Sequence, residues 1–141
     1  MRILVTGHKG YIGTVMVPML AGAGHDVVGL DTDLFEQCTF GPGIQDIPEM
    51  RVDIRDVQPR HLKGFDAVVH LAALSNDQLS DLNPEITYDI NHAASVRLAR
   101  LAKDAGVQRF LFASSCSIYG KADDDRVDET AECHPITPYT I

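Results

Sequence analysis

Three glycines at positions 7, 10 and 13 constrain this chain more than any other feature. The apolar run Arg2-Ile3-Leu4-Val5 leads directly into Thr6-Gly7-His8-Lys9-Gly10-Tyr11-Ile12-Gly13, and helical character continues from Tyr11 to Ala23. A buried strand, a glycine turn and a helix start together form an entrance for a dinucleotide. Gly7 permits the tight turn. Gly10 lets the backbone approach a pyrophosphate, whose charge is favoured at a helix N-terminus. Gly13 lets helix and strand pack closely. The spacing is Gly-x-x-Gly-x-x-Gly rather than Gly-x-Gly-x-x-Gly, so the context has to carry the reading.

That context is an acid at the right distance. Asp26-Val27-Val28-Gly29-Leu30-Asp31 reads as a second buried strand ending in a carboxylate. An acid there accepts hydrogen bonds from the adenosine ribose hydroxyls and repels a 2′-phosphate, which favours NAD over NADP. The other reading of Asp31 is a cap or turn residue, with Asp33 close by. His8 and Lys9 lie within the glycine loop, where they reach a phosphate or stand exposed as loop residues.

With 141 residues the chain fits one domain around one core. The net charge of −8 argues against a nucleic-acid surface. No run is long enough to span a membrane, and Met1-Arg2-Ile3-Leu4-Val5 is too short for a signal core. Cys38, Cys116 and Cys133 are odd in number and form no C-x-x-C pair, which fits free thiols in a reducing cytoplasm and gives no zinc site. Asp123-Asp124-Asp125 reads as a solvated loop.

Strands are expected at 2–6, 26–31, 50–53, 66–72 and 109–115, and helices at 11–23, 56–63 and 85–105. The last helix carries Ile86, Ile90, Ala93, Ala94, Leu98, Leu101 and Ala105 on one side, starts at Asn83-Pro84 and ends at Gly106. Strands apolar throughout, alternating with helices, imply an α/β fold with a parallel sheet covered on both faces. Right-handed crossovers and the glycine turn give a Rossmann-type doubly wound sheet of order 3-2-1-4-5. Residues 32–49, with Gly41, Pro42, Gly43 and Pro48, form a long irregular connection of the kind found near ligands.

Further motifs stand in order along the chain. Asp53-Ile54 follows the third strand. His70-Leu71-Ala72-Ala73 ends the fourth. Asn91 lies in Tyr88-Asp89-Ile90-Asn91, and Ser114-Ser115-Cys116-Ser117-Ile118-Tyr119-Gly120 follows the fifth strand. Pro138-Tyr139-Thr140-Ile141 closes the sequence. With the glycine turn and Asp31, this series resembles the extended short-chain dehydrogenases/reductases, in their nucleotide-sugar epimerase/dehydratase group. The resemblance implies NAD as cofactor. It places Gly7, Lys9, Gly10, Tyr11, Ile12, Gly13, Asp31, Asp53, Ile54, Leu71, Ala72, Ala73, Asn91 and Ser114 around that cofactor. Asp53-Ile54 corresponds to a pair at the adenine, and Asn91 to an asparagine that steadies the site. Ser115 corresponds to the catalytic Ser/Thr and Tyr139 to the tyrosine of a Tyr-x-x-x-Lys motif. His70 is assigned no chemistry, Tyr119 is read as structural, and Cys116 as a small wall residue.

The implied reaction begins with hydride transfer from a sugar carbon to the nicotinamide while the alcohol proton leaves. A tyrosine, of ordinary pKa about 10, takes that proton only when a nearby ammonium and the positive ring lower it. The Ser115 hydroxyl would hold the substrate oxygen. The motif's lysine would stand two positions past Ile141, so residues 1–141 are expected to be the cofactor half, inactive alone, with an apolar fifth strand at an edge. The resemblance also implies a nucleotide-sugar substrate and a homodimer formed through the long helix 85–105. In the family's 4,6-dehydratases the catalytic Ser/Thr precedes an acidic pair; Cys116 and Ser117 offer neither acid nor base for elimination, which favours an epimerase. A dehydratase or ketone reductase, and a catalytically inactive NAD-binding module, are the alternatives.

Overall fold

The structure, a computed structural model, describes residues 1–36, 38, 46–121 and 126–140. Gly41, Pro42, Gly43, the triplet Asp123-Asp124-Asp125 and Ile141 lie outside the described residues. Five parallel strands form one sheet: β1 (Arg2–Thr6), β2 (Asp26–Asp31), β3 (Glu49–Arg51), β4 (Ala67–His70) and β5 (Arg109–Phe112). Their order is β3-β2-β1-β4-β5, as the sequence implies. β1 and β2 have the expected bounds, while β3, β4 and β5 end two or three residues earlier than expected, where the chain leaves the ladder for the ligand side.

Alternation along β1 feeds two cores. Ile3 and Val5 pack with Val27, Ala67 and Val69 beneath α1 (Gly13–Gly22), which contributes Val17, Met16 and Leu20. Leu4 faces the other way, with Val28, Leu30, Val68, Leu62, Phe65, Leu98 and Ala102. The register places Thr6 beside Leu30 on one side and His70 on the other. The β1 carboxyl end is therefore flanked by both strands that later carry polar groups.

Three expectations require correction. Residues 56–63 are not an α-helix but lie in two 3₁₀ turns, Ile54–Asp56 and Pro59–Leu62. Pro59 lacks an N–H and drives Gln58 into extended backbone (φ −120°, ψ 160°), which breaks any helix across it. The long helix runs as α3 (Pro84–Tyr88), a π-helical segment (Asp89–Ala94) and α4 (Ser95–Asp104). Its start is capped by the Asn83 side chain, which accepts the Ile86 N–H, and Gly106 follows its end at φ +80°. The wide π turns slip the apolar face. Ala94, Leu98 and Ala102 are buried, Ile90 and Leu101 pack beside them, and Ile86 and Ala93 are exposed. A short helix α2 (Asp77–Leu82), begun by Asn76 accepting the Leu79 N–H, was not expected.

The third correction concerns coverage. β1 and β4 are buried almost throughout, and β2 from Val27 to Leu30, as apolar parallel strands should be. β5 is not: Leu111 and Phe112 are exposed, and only Phe110 packs into the Leu4 core. No helix of the described residues is long and apolar enough to cross a membrane.

Candidate active site

Along the carboxyl ends of the strands lies a cleft of about 1390 Å³. The glycine turn, the ends of β2 and β4, the π-helical segment, the segment after β5 and the turn at Tyr139 all line it. All sixteen residues singled out for catalysis or cofactor binding, from Gly7 to Tyr139, fall on its wall.

The glycine turn is held shut by contacts no side chain could share. The Gly7 N–H donates to Leu30 O (2.8 Å), at φ +70°. A Cβ on Gly7 would meet Ala72 N at 2.7 Å, and one on Gly13 would meet Gly7 O and His8 O at 2.5 Å. This packing draws the start of α1 against the sheet and points its free N–H groups into the cleft. Among the described residues, the Tyr11, Ile12 and Gly13 N–H groups find no protein acceptor. Orphan donors at a helix start, backed by the dipole, form an anion site, and a dinucleotide pyrophosphate fits them.

Asp31 closes the far side of the turn. Its Oδ2 accepts the Lys9 N–H (3.0 Å) and its Oδ1 the Asp33 N–H (2.9 Å). Each oxygen keeps a lone-pair direction for a further donor, as a ribose-binding carboxylate requires. The two loop residues beside it depart from expectation. His8 is buried, not exposed; its ring fills the space above Gly29, where a Cβ would stand 2.5 Å from the ring atoms. Its Nε2 lies 3.0 Å from Glu49 Oε2. The Lys9 ammonium is paired with Asp33 Oδ2 (2.6 Å) and Glu49 Oε2 (3.0 Å). The Asp33 hydrogen bond is the main cause holding the Lys9 ammonium above the ordinary lysine value, and the Lys9 hydrogen bond the main cause holding the Glu49 carboxyl below its own.

Asp53 turns its carboxylate to Arg55, whose N–H, Nε and Nη2 it accepts at 2.9, 3.0 and 2.8 Å. The hydrogen bond from the Arg55 guanidinium is the first cause lowering the Asp53 pKa. Asn91 sits in the π-helical segment, where its Oδ1 accepts the Leu74 N–H (2.8 Å) and its Nδ2 donates to Leu74 O (3.0 Å). It therefore pins the chain just after Ala72-Ala73. Ser115 caps a 3₁₀ turn (Cys116–Tyr119): its Oγ accepts the Ser117 N–H (3.2 Å) and donates to Ser117 Oγ (3.1 Å). Tyr139 lies in a turn closed by Thr140 N–H to Thr137 O (2.9 Å). That turn is tied to α2 through the Thr137 hydroxyl, which donates to Asp77 Oδ1 (2.7 Å).

Sequence reasoning passed over Asp33, Glu49, Leu74 and Ser95, all on the cleft wall. A second acid two residues after Asp31 was the visible signal for Asp33, and a glycine inside a buried strand was the signal for the buried His8.

The fold and cleft define a dinucleotide-binding domain, and comparison with known proteins sharpens that class. The sequence model of the NAD dependent epimerase/dehydratase family matches residues 3–141, and the chain belongs to that family. It is 33% identical to a UDP-glucose 4-epimerase of Streptomyces lividans over 98% of its own length and 43% of that protein's. Among solved structures, the UDP-glucose-4-epimerase of Stenotrophomonas maltophila with bound NAD and formylated UDP-arabinopyranose superposes with TM-score 0.87 at 36% identity, covering 99% of this chain and 44% of that one. The NAD-dependent NDP-hexosamine 5,6-dehydratase TunA superposes with TM-score 0.88 at 27% identity, over 99% of this chain and 46% of that one. The chain thus spans under half the length of each of these relatives. NAD is the cofactor of the family, and the glycine turn, the free N–H groups and Asp31 fit it.

Proposed function

We propose that this chain forms the cofactor-binding part of an NAD-dependent nucleotide-sugar epimerase. The observation that carries the reading is the convergence of the glycine turn, Asp31, Asn91, Ser115 and Tyr139 on one cleft. NAD, when bound, supplies a hydride acceptor that later returns the hydride. The protein's own residues do the rest. The α1 N-terminus holds the pyrophosphate, and Asp31 accepts from the adenosine ribose. The Asp53 carboxylate is committed to Arg55, so an adenine contact there falls to its backbone and to Ile54. Asn91 fixes the Leu74 backbone and with it the wall beside Ala72-Ala73.

At the reacting end, Ser115 holds the sugar oxygen and Tyr139 takes its proton. An enzyme that only removes and returns a hydride needs no further acid or base along this turn, and Cys116 and Ser117 offer none. This favours an epimerase over a 4,6-dehydratase. The relatives' 4-epimerase activity on UDP-glucose makes a UDP-hexose the substrate to try first. Ile86 and Val96, exposed along the long helical run 84–104, support pairing of two copies through that run. The test is incubation of the full-length protein bearing this chain with UDP-glucose and related nucleotide sugars. A stereoisomer of unchanged mass supports the reading; a 4-keto-6-deoxy product, lighter by one water, overturns it.

A further inference from the structure

Two carboxylates, Asp33 and Glu49, hold the Lys9 ammonium and a third, Asp31, holds the Lys9 backbone N–H, in an arrangement built from three separate parts of the chain. Lys9 comes from the glycine turn, Asp31 and Asp33 from the end of β2, and Glu49 from the start of β3. Lys9 Nζ reaches Asp33 Oδ2 at 2.6 Å and Glu49 at 3.0 and 3.1 Å, while its backbone N–H holds Asp31. Asp33 adopts φ +60°, a left-handed conformation uncommon for a residue with a side chain. Its side chain is only 9% exposed, so the strained backbone delivers the carboxylate into the cluster rather than to solvent. Behind the cluster, His8 is 1% exposed, and its Nδ1 has no hydrogen-bond partner among the described residues although it faces Asp31 Oδ2 at 3.9 Å. A buried ring edge left unpaired beside the ribose acid is costly unless something is meant to complete this corner.

We propose that Asp33 and Glu49 determine cofactor choice by sequestering Lys9, the glycine-turn cation placed to meet a 2′-phosphate beside Asp31. The reasoning is electrostatic. A ribose 2′-phosphate at Asp31 would stand close to three carboxylates and one ammonium. The ammonium cannot turn to the phosphate without leaving the Asp33 carboxylate unpaired and Glu49 with only the His8 ring. NAD, with a neutral 2′-hydroxyl, asks for no such rearrangement and donates to Asp31. Cofactor choice is then a property of the whole cluster, with a latent phosphate ligand held in reserve by two acids that do not touch the ribose. This inference rests on the adenosine end lying at Asp31.

The test measures binding by calorimetry, with NAD against NADP and 5′-AMP against adenosine 2′,5′-bisphosphate, so that no turnover is needed. Asp33→Asn with Glu49→Gln should narrow the preference for the unphosphorylated ligand by roughly tenfold or more, as expected for freeing one ammonium to pair with a phosphate a few ångströms away. Adding Lys9→Met to that pair should take most of the gain away, because the freed ammonium is its source. If the double variant does not fold, Glu49→Gln alone, whose carboxylate is 40% exposed, should narrow the ratio by about threefold. An unchanged ratio overturns the proposal, as does a gain that survives Lys9→Met, which would assign the effect to lost repulsion alone. Unmodified protein that binds neither NAD nor 5′-AMP would overturn the placement of adenosine at Asp31, and the inference with it.

Discussion

The Thr6 hydroxyl lies 2.6 Å from His70 Nδ1, joining β1 to β4 at the floor of the cleft. The same imidazole reaches Ser95 Oγ at 2.8 Å through Nε2, so one buried ring fastens the sheet to α4. Phe110 and Phe112 lie beside it, with ring centroids 6.0 and 5.8 Å away. Burial lowers the His70 pKa from 6.5 to about 4.

A pH dependence of stability follows. Between about 4 and 6.5 the unfolded chain binds a proton at this residue that the folded chain refuses. Stability from His70 is therefore complete above pH 6.5 and falls as the pH drops toward 4, by on the order of 3 kcal/mol. Urea denaturation at several pH values, compared with His70→Gln, should show a slope in this window that the variant lacks. Equal slopes in both proteins would contradict the assignment.

Gly13→Ala should be among the most damaging single changes in the chain. Its Cβ would stand 2.5 Å from two backbone oxygens, Gly7 O and His8 O, which cannot swing aside as a side chain could. A loss of about 1–3 kcal/mol is expected from overpacking, with NAD binding lost as the turn opens. Gly22→Ala, with nothing within 4 Å, should change the melting free energy by less than about 1 kcal/mol. Thermal melts and NAD titrations of both variants check the contrast.

Asn91→Ala should loosen the cleft wall without unfolding the protein. It removes two hydrogen bonds to Leu74 and leaves a half-buried N–H and C=O without partners. The expected cost is about 1–3 kcal/mol in stability, together with weaker NAD binding. Hydrogen exchange at the Leu74 amide reads the effect directly: faster exchange is expected, and unchanged protection would contradict a positioning role.

Cys38, Cys116 and Cys133 are all exposed free thiols. Alkylation without reductant should add three labels per chain by mass. A native disulfide would contradict this.

The parts of the site that were legible in the sequence are local in the chain. The glycine turn, its helix and the acid ending β2 fall within 31 residues, and their spacing sets their geometry. The same holds for the Asn83-Pro84 helix start. What escaped depends on residues far apart. Lys9 and Glu49 are 40 residues apart, across a connection with no periodic pattern, so nothing local announces their ion pair. His8 reads as a phosphate contact or an exposed loop residue until Gly29, on the neighbouring strand, is seen to leave room for its ring. The 56–63 segment offers only Val57 and Leu62 as apolar residues, five positions apart, and Pro59 breaks any helix across it. The π-helical slip that buries Ala102 instead of Ile86 has no mark in a 3.6-residue pattern.

The most direct measurement is a calorimetric titration of the 141-residue chain with NAD and NADP, repeated on Asp31→Ser with Thr32→Arg. One NAD per chain should bind, with NADP weaker by about tenfold or more because of the carboxylates at the ribose. The variant should reverse that order. Equal affinity of the unmodified chain for the two cofactors, or no saturable binding of NAD, would contradict the account.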